Sequence, residues 1–292
     1  MFGKPVVGSA VARPLAKTTG ALRTIGALLG CALTFAPAPV LAENADVGAA
    51  YDISIAGFVF AKGTLSLELQ GDAYSARVGM RPSGLARIII AGKSNAYATG
   101  SLHGTRVMPD RYDMISEESE RSSRVAMGLS RGNVRDIATS PQLAKRPDRV
   151  PVTRVHQRGI VDPLSAILMP VANAGQALTP KGCDRRIPIF DGWTRYDVQL
   201  SYKSTQTVSG RGYDGPVIVC GARWVPVAGH RPAKKSVKYM ADNRDIEIWL
   251  APMATSDVLL PYRISMRTMT GDLVVQARKL EIRTGERKHA SR

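Results

Sequence analysis

Runs in which every second residue is apolar recur along this chain, several of them closed by a glycine-containing turn. This two-residue period restricts the fold more than any other feature, because strand side chains alternate between two faces. Tyr51, Ile53 and Ile55 make the first run; Leu65, Leu67 and Leu69 make the second. Gly71-Asp72 then turns the chain into Tyr74, Ala76 and Val78. Val125, Met127 and Leu129 lead through Arg131-Gly132-Asn133 to Val134 and Ile137. Tyr196, Val198, Leu200 and Tyr202 precede a Gly-rich turn and the partner run of Val217 and Val219. Ile246, Ile248 and Leu250 follow, then Tyr262, Ile264 and Met266, and Gly271-Asp272 turns into Leu273, Val275 and Ala277. Leu85 to Ala91 reads as a central strand or one helical turn. Roughly ten to twelve strands joined mainly as hairpins are expected. The fold class is therefore mainly β: a large curved antiparallel sheet, half-barrel or β-spiral in form, without an internal repeat of fixed period.

One stretch breaks this rhythm. Asp162 to Gly175 reads DPLSAILMPVANAG. Asp162 suits an N-cap and Pro163 the first helical position. Leu164, Ile167, Leu168 and Val171 share one helical face, while Pro170 ends or kinks the helix near Met169. No charge falls between Asp162 and Lys181, so most sides of the segment are expected to be buried. One main buried helix near 163–174 is the expectation, as a core element or as a plug over a ligand cavity.

The amino-terminal region reads as a leader. Lys4, Arg13, Lys17 and Arg23 are basic, and no acid precedes Glu43. The apolar run Ile25 to Val40 is short for a bilayer span, and Val40-Leu41-Ala42 fits a signal-peptidase site with cleavage after Ala42. Leu28-Leu29-Gly30-Cys31 loosely matches a lipobox, so a lipoprotein anchored through Cys31 is the minor alternative. Loss of four basic residues lowers the formal charge from +16 to +12. In an exported protein that charge points to anionic lipid or envelope glycan, or to simple solubility, and away from nucleic acid. The mature chain keeps two cysteines, Cys183 and Cys220, expected to form a disulfide worth about 3–4 kcal/mol in a chain-entropy treatment.

The domain organisation follows: residues 1–42 a signal peptide, 43–283 a single β-rich domain, and 284–292 a basic tail. Within the domain, 43–140 form a first β half and 141–161 a basic, proline-containing linker. The helix occupies 162–176 and the second β half 177–283. In the linker Lys145, Arg146, Arg149, Arg154 and Arg158 face one acid, Asp148. It reads as a solvated connection or an anion-contact loop.

Several short motifs occur in a fixed order: Tyr51-x-Ile53-x-Ile55-x-Gly57 with Gly63 beyond it, Ser83-Gly84-Leu85, and Asp162-Pro163-Leu164-Ser165-Ala166. Asp191-Gly192 precedes a strand, Cys220 is followed by Pro226-Val227-Ala228-Gly229, and Ile248-Trp249-Leu250 by Leu260-Pro261-Tyr262-Arg263. In this order the chain resembles the domain-of-unknown-function 3108 family of bacterial envelope proteins, across nearly the whole mature sequence. It departs slightly at Ala61-Lys62, ahead of Gly63. The resemblance implies an exported, mainly antiparallel β protein with a curved sheet, and no activity. A looser similarity, in architecture alone, is to half-barrel lipoprotein carriers of the periplasm.

The chemistry-bearing residues are sparse. His103, His156 and His230 are far apart in sequence and form no metal-ligand spacing. No Gly-x-Ser-x-Gly elbow or Gly-x-x-x-x-Gly-Lys-Ser/Thr phosphate loop occurs. Ser165 and the Glu117-Glu118 pair read as structural or solvated residues. No catalytic residue, cofactor site or metal site is assigned, and the protein is expected not to be an enzyme. Tyr196, Tyr202 and Trp224, with Leu164, Ile167 and Leu168, are the residues expected to line a cavity; core packing is the competing role. The functional expectation is a non-catalytic periplasmic envelope protein that binds a lipid or other apolar or anionic envelope ligand on the concave face of a curved sheet. The alternative is an envelope-integrity scaffold acting through contacts with another envelope protein, with no small-molecule ligand.

Overall fold

The computed structural model describes residues 44–84, 92–118, 121–210, 213–253 and 256–285. The leader with Cys31 and Ala42, the run Leu85 to Ala91 and the end of the basic tail lie outside the described residues.

The first seven strands form a meander: β1 (Asn44–Ile55), β2 (Phe58–Gln70), β3 (Ala73–Pro82), β4 (Gly92–His103), β5 (Arg106–Glu118), β6 (Arg121–Ser130) and β7 (Asn133–Ser140). A long connector follows and contains the short strand β8 (Met169–Pro170). A second meander comprises β9 (Arg185–Phe190), β10 (Arg195–Gly210), β11 (Tyr213–Ala228), β12 (Ile246–Pro252), β13 (Val258–Thr268) and β14 (Gly271–Gly285). The helix α1 (Lys235–Asp242) lies between β11 and β12. The two meanders join where β1 pairs antiparallel with β14, from Asn44 opposite Gly285 to Ile55 opposite Leu273.

Strand order is β7-β6-β5-β4-β3-β2-β1-β14-β13-β12-β11-β10-β9, with β8 beside β13. The ladder is an open path, and its terminal strands β7 and β9 do not pair with each other. This corrects the expected curved half-barrel or spiral. Alternation fixes which residues face the core, but carries no information about whether the outer strands meet. At both edges the connector supplies bonds instead. Ile160 N–H donates to Gly132 O in the β6–β7 turn, and Val161 N–H donates to Pro188 O in β9.

The expected helix near 163–174 is also corrected. Only Ser165–Ile167 forms a 3-10 turn, and Leu168 is already extended at φ −80°, ψ 118°. Pro170 disfavours helical backbone at Met169, and these two residues pair with Val258 and Leu259 of β13. A second 3-10 turn covers Ala174–Gln176. The absence of charge signals burial, which holds as far as Val171, whereas Ala172 to Gly175 are exposed; the cause of the burial is also different. Leu164 and Leu168 face the main core, whereas Met169 and Val171 face a second cluster around the cysteines. Only the short run Leu168 to Val171 is extended, and it is covered on both sides. The α-helix observed, α1, has exposed Lys235 and Lys238 and no fully buried residue.

The main core lies on one face of the sheet. Val47, Leu65, Leu67, Leu69, Tyr74, Ala76, Val125 and Met127 project there from alternate positions, and Ile160, Leu164 and Leu168 of the connector cover them. Each fully buried aliphatic side chain contributes about 1.5–3 kcal/mol of transfer free energy. Consecutive residues Val217, Ile218, Val219 and Cys220 are all buried, because β11 is covered on both faces. The Cys183–Cys220 disulfide spans 5.5 Å between Cα atoms and ties the end of the Pro180–Gly182 turn to β11.

Candidate functional site

The segment after Val161 builds a buried polar centre. Asp162 is fully buried. Its Oδ1 accepts the backbone N–H groups of Leu164 at 2.9 Å and Ser165 at 2.8 Å, the capping arrangement expected of an Asp before a turn. Ser165 Oγ donates to Asp162 Oδ2 at 2.5 Å, and Tyr74 Oη lies 2.6 Å from Ser165 Oγ. Burial raises the Asp162 carboxyl to about 6, although the bonds from Ser165 and Leu164 act in the opposite direction. Burial, followed by the charge of Asp162, also raises the phenols of Tyr74 and Tyr112 above their ordinary range.

Ser165 forms part of the wall of a cleft of about 400 Å³ between the β4–β5 turn, the β6–β7 turn, the connector and β9. Its apolar floor includes Val107, Met108, Ile160, Ala166, Leu168 and Ile187. Its cations are Arg106, Arg131, Lys181, Arg185 and Arg186, against one acid, Asp184. Arg186 binds the buried carboxylate of Asp197 through Nε at 2.6 Å, and Arg195 binds the same group at 2.5 Å. Arg185 donates from Nη1 to Pro170 O at 3.1 Å, while its Nε is buried without a hydrogen-bond partner. Burial lowers the Arg185 pKa. Among the described residues, Arg106, Arg131 and Lys181 form no ion pair. An apolar floor with uncompensated positive charge around it can hold a molecule with an anionic head and an apolar body.

The residues expected to line a cavity are placed as follows. Leu168 lines this cleft. Leu164 is in the main core, and Ile167 packs partly buried against it. Tyr196 and Trp224 pack against each other with ring centroids 6.0 Å apart. Tyr202 is 41% exposed and its hydroxyl lies 3.3 Å from Thr205. The cleft cations were missed because they come from four separate segments. Arg185 and Arg186 are adjacent to Cys183, but sequence alone gives no reason to join them to Arg106 and Arg131. Among the described residues no group of three or more His, Cys, Asp or Glu side chains can hold a metal ion. No helix among them is long and apolar enough to cross a membrane.

The Asp162–Ser165 cap, the Gly192 turn before β10 and the disulfided Cys220 are in place in a mainly β fold. A family model described as protein of unknown function (DUF3108) matches residues 50–278. The chain belongs to the DUF3108 family. Membership and the disulfide are together consistent with an exported protein. This DUF3108 chain is also similar to a solved structure from Brucella abortus, described as a beta-barrel-like protein of the domain of unknown function DUF1849. The identity is 11%, over 83% of this chain and 98% of the other, at a TM-score of 0.46. No curated protein matches the DUF3108 chain.

Proposed function

We propose that the protein is a non-enzymatic periplasmic binding protein that takes an anionic amphiphile in the cleft beside Ser165. The apolar body rests on the half-buried Val107, Met108 and Ile187, and the head group meets Arg185 with Arg106, Arg131 and Lys181 around it. The observation that carries this reading is the buried Arg185 Nε, which has no hydrogen-bond partner although it lines an apolar cleft. A buried donor left unmade is costly, and an anionic oxygen in the cleft would satisfy it once the Arg185 guanidinium turns toward it. The leader-like amino terminus and the Cys183–Cys220 disulfide support a periplasmic setting.

Calorimetry with dodecyl phosphate, below its micellar concentration and without vesicles, tests the assignment, with dodecyl maltoside as the uncharged counterpart. Saturable binding of the phosphate is expected, with the maltoside weaker. Arg185→Gln should weaken the phosphate on the order of tenfold, the effect of one charge-assisted hydrogen bond. Equal affinity for both amphiphiles, or an unchanged Arg185→Gln protein, would overturn the reading. Absence of binding to either would move the assignment to a scaffold acting through protein contacts.

A further inference from the structure

A second concentration of positive charge lies on the connector and edge strand β7. Arg135, Arg154 and Arg158 line one shallow cleft, and Lys145, Arg146 and Arg149 line the next. The two share Ile137 and Gln157, so they form one continuous surface. Its nearby acids are Asp136 and Asp148, and Asp148 is held by Arg231 at 2.6 Å. Arg135, Lys145, Arg146, Arg154 and Arg158 are exposed and form no ion pair among the described residues.

Two apolar side chains are exposed here: Ile137, shared by both clefts, and Val155, on the turn that supplies Arg154 and Gln157 to them. Val155 is 65% exposed on the 3-10 turn Arg154–Gln157, with Arg154 before it and Arg158 just after. Singly exposed apolar side chains are common, Phe58 and Met269 among them here, and what sets Val155 apart is the pair of unpaired arginines flanking it. That combination suits a bilayer interface: cations attract the anionic head groups, and the aliphatic tip enters the boundary beneath them. A soluble polyanion would be recognised by the cations but would make no use of Val155.

We infer that this face docks onto a bilayer surface containing anionic phospholipid, by charge complementarity through Arg146, Arg154 and Arg158 with Val155 as a shallow anchor. The inference does not depend on occupancy of the cleft beside Ser165, because the two surfaces share no lining residue.

Sedimentation of the mature protein with large vesicles tests it, using phosphatidylcholine with and without phosphatidylglycerol. Binding is expected only when phosphatidylglycerol is present, and it should weaken as salt rises. Each surface charge near an anionic bilayer changes affinity about fivefold, so the triple variant Arg146→Gln, Arg154→Gln, Arg158→Gln should lose on the order of 100-fold. Val155→Ser should reduce the fraction retained in salt. All four positions are exposed, and circular dichroism should show each variant folded. No sedimentation with phosphatidylglycerol vesicles overturns the inference, as does a triple variant that sediments like wild type. It is equally overturned if binding is to soluble polyphosphate alone, or is lost only with Phe58→Ser, at a hairpin end where the side chain is 79% exposed. Arg185→Gln should leave sedimentation unchanged while weakening dodecyl phosphate, which separates failure of this inference from failure of the cleft assignment.

Discussion

The phenol of Tyr74 lies 2.6 Å from the hydroxyl of Ser165, ninety-one residues away in sequence. One partner stands on β3 and the other in the connector, so the bond fixes the connector to the core face of the first meander. Ser165 in turn donates to Asp162, which makes the three side chains one buried network. Position 100, on the neighbouring β4, is a glycine, where a Cβ would approach that phenol oxygen at 2.8 Å.

The first prediction concerns pH. Asp162 keeps its proton to about pH 6 in the fold, against roughly pH 4 in an unfolded chain. Below pH 4 both states are protonated and the contribution is complete. Between these values the unfolded chain ionises first, so stability falls as pH rises, by about 3 kcal/mol once the fold must carry the charge. Asp162→Asn keeps the acceptor for the two backbone N–H groups and should flatten this fall. Urea unfolding of both proteins from pH 4 to 8 checks it: the difference between them isolates Asp162 from the surface carboxylates that titrate lower. Parallel profiles would show that Asp162 does not titrate in this window.

A second prediction rests on Asp197, a fully buried carboxylate bonded to Arg186 and Arg195. Asp197→Ala leaves Arg195, with a side chain only 11% exposed, without its ion-pair partner. Removing one member of a buried charge group costs about 3–5 kcal/mol. Denaturant midpoints should show a loss of that size, whereas Arg186→Ala should lose less because the Arg186 side chain is 63% exposed.

Two glycines with left-handed backbone give a contrast. Gly104 has φ +58° and open space where a Cβ would stand, so Gly104→Ala should cost only the backbone term, about 1–2 kcal/mol. Gly229 has φ +82°, and a Cβ there would lie 2.1 Å from Trp193 O and 2.9 Å from Thr194 Cα. Backbone atoms cannot rotate away, so Gly229→Ala should be markedly worse than Gly104→Ala in thermal unfolding. Equal losses would mean the turn after β11 can shift freely.

The disulfide closes an interval of 37 residues. A loop of that length corresponds to about 4 kcal/mol in the chain-entropy treatment. Unfolding with and without reductant should differ by that order. In the oxidised protein neither Cys183 nor Cys220 should alkylate, since both are fully buried and bonded.

Much of this architecture was legible from alternation alone. The period that selects Leu65, Leu67 and Leu69 is the period of their burial, and Gly71-Asp72 does turn the chain into Tyr74. The Asp162 cap was legible too, because a short carboxylate before Pro163 has two free amides within reach. What followed the cap was not. Spacing of apolar residues over so short a run fits a helix, or an extended segment covered on both sides, and only the partners decide. The cleft was hidden for a similar reason. Arg106, Arg131 and Arg185 meet only after the connector has crossed from one edge strand to the other, and charge has no periodicity from which that crossing could be read.

The pairing of β1 with β14 sets an order of events for a chain that emerges amino terminus first. The opening hairpin can form early, but one flank of β1 keeps its row of amides and carbonyls open until the last hairpin arrives. Such a row is a template for any other extended chain. A product cut short before Gly271 is therefore not a smaller working protein. It is expected to seed aggregation, since the fifteen-residue β14 is the strand that covers that open flank of β1.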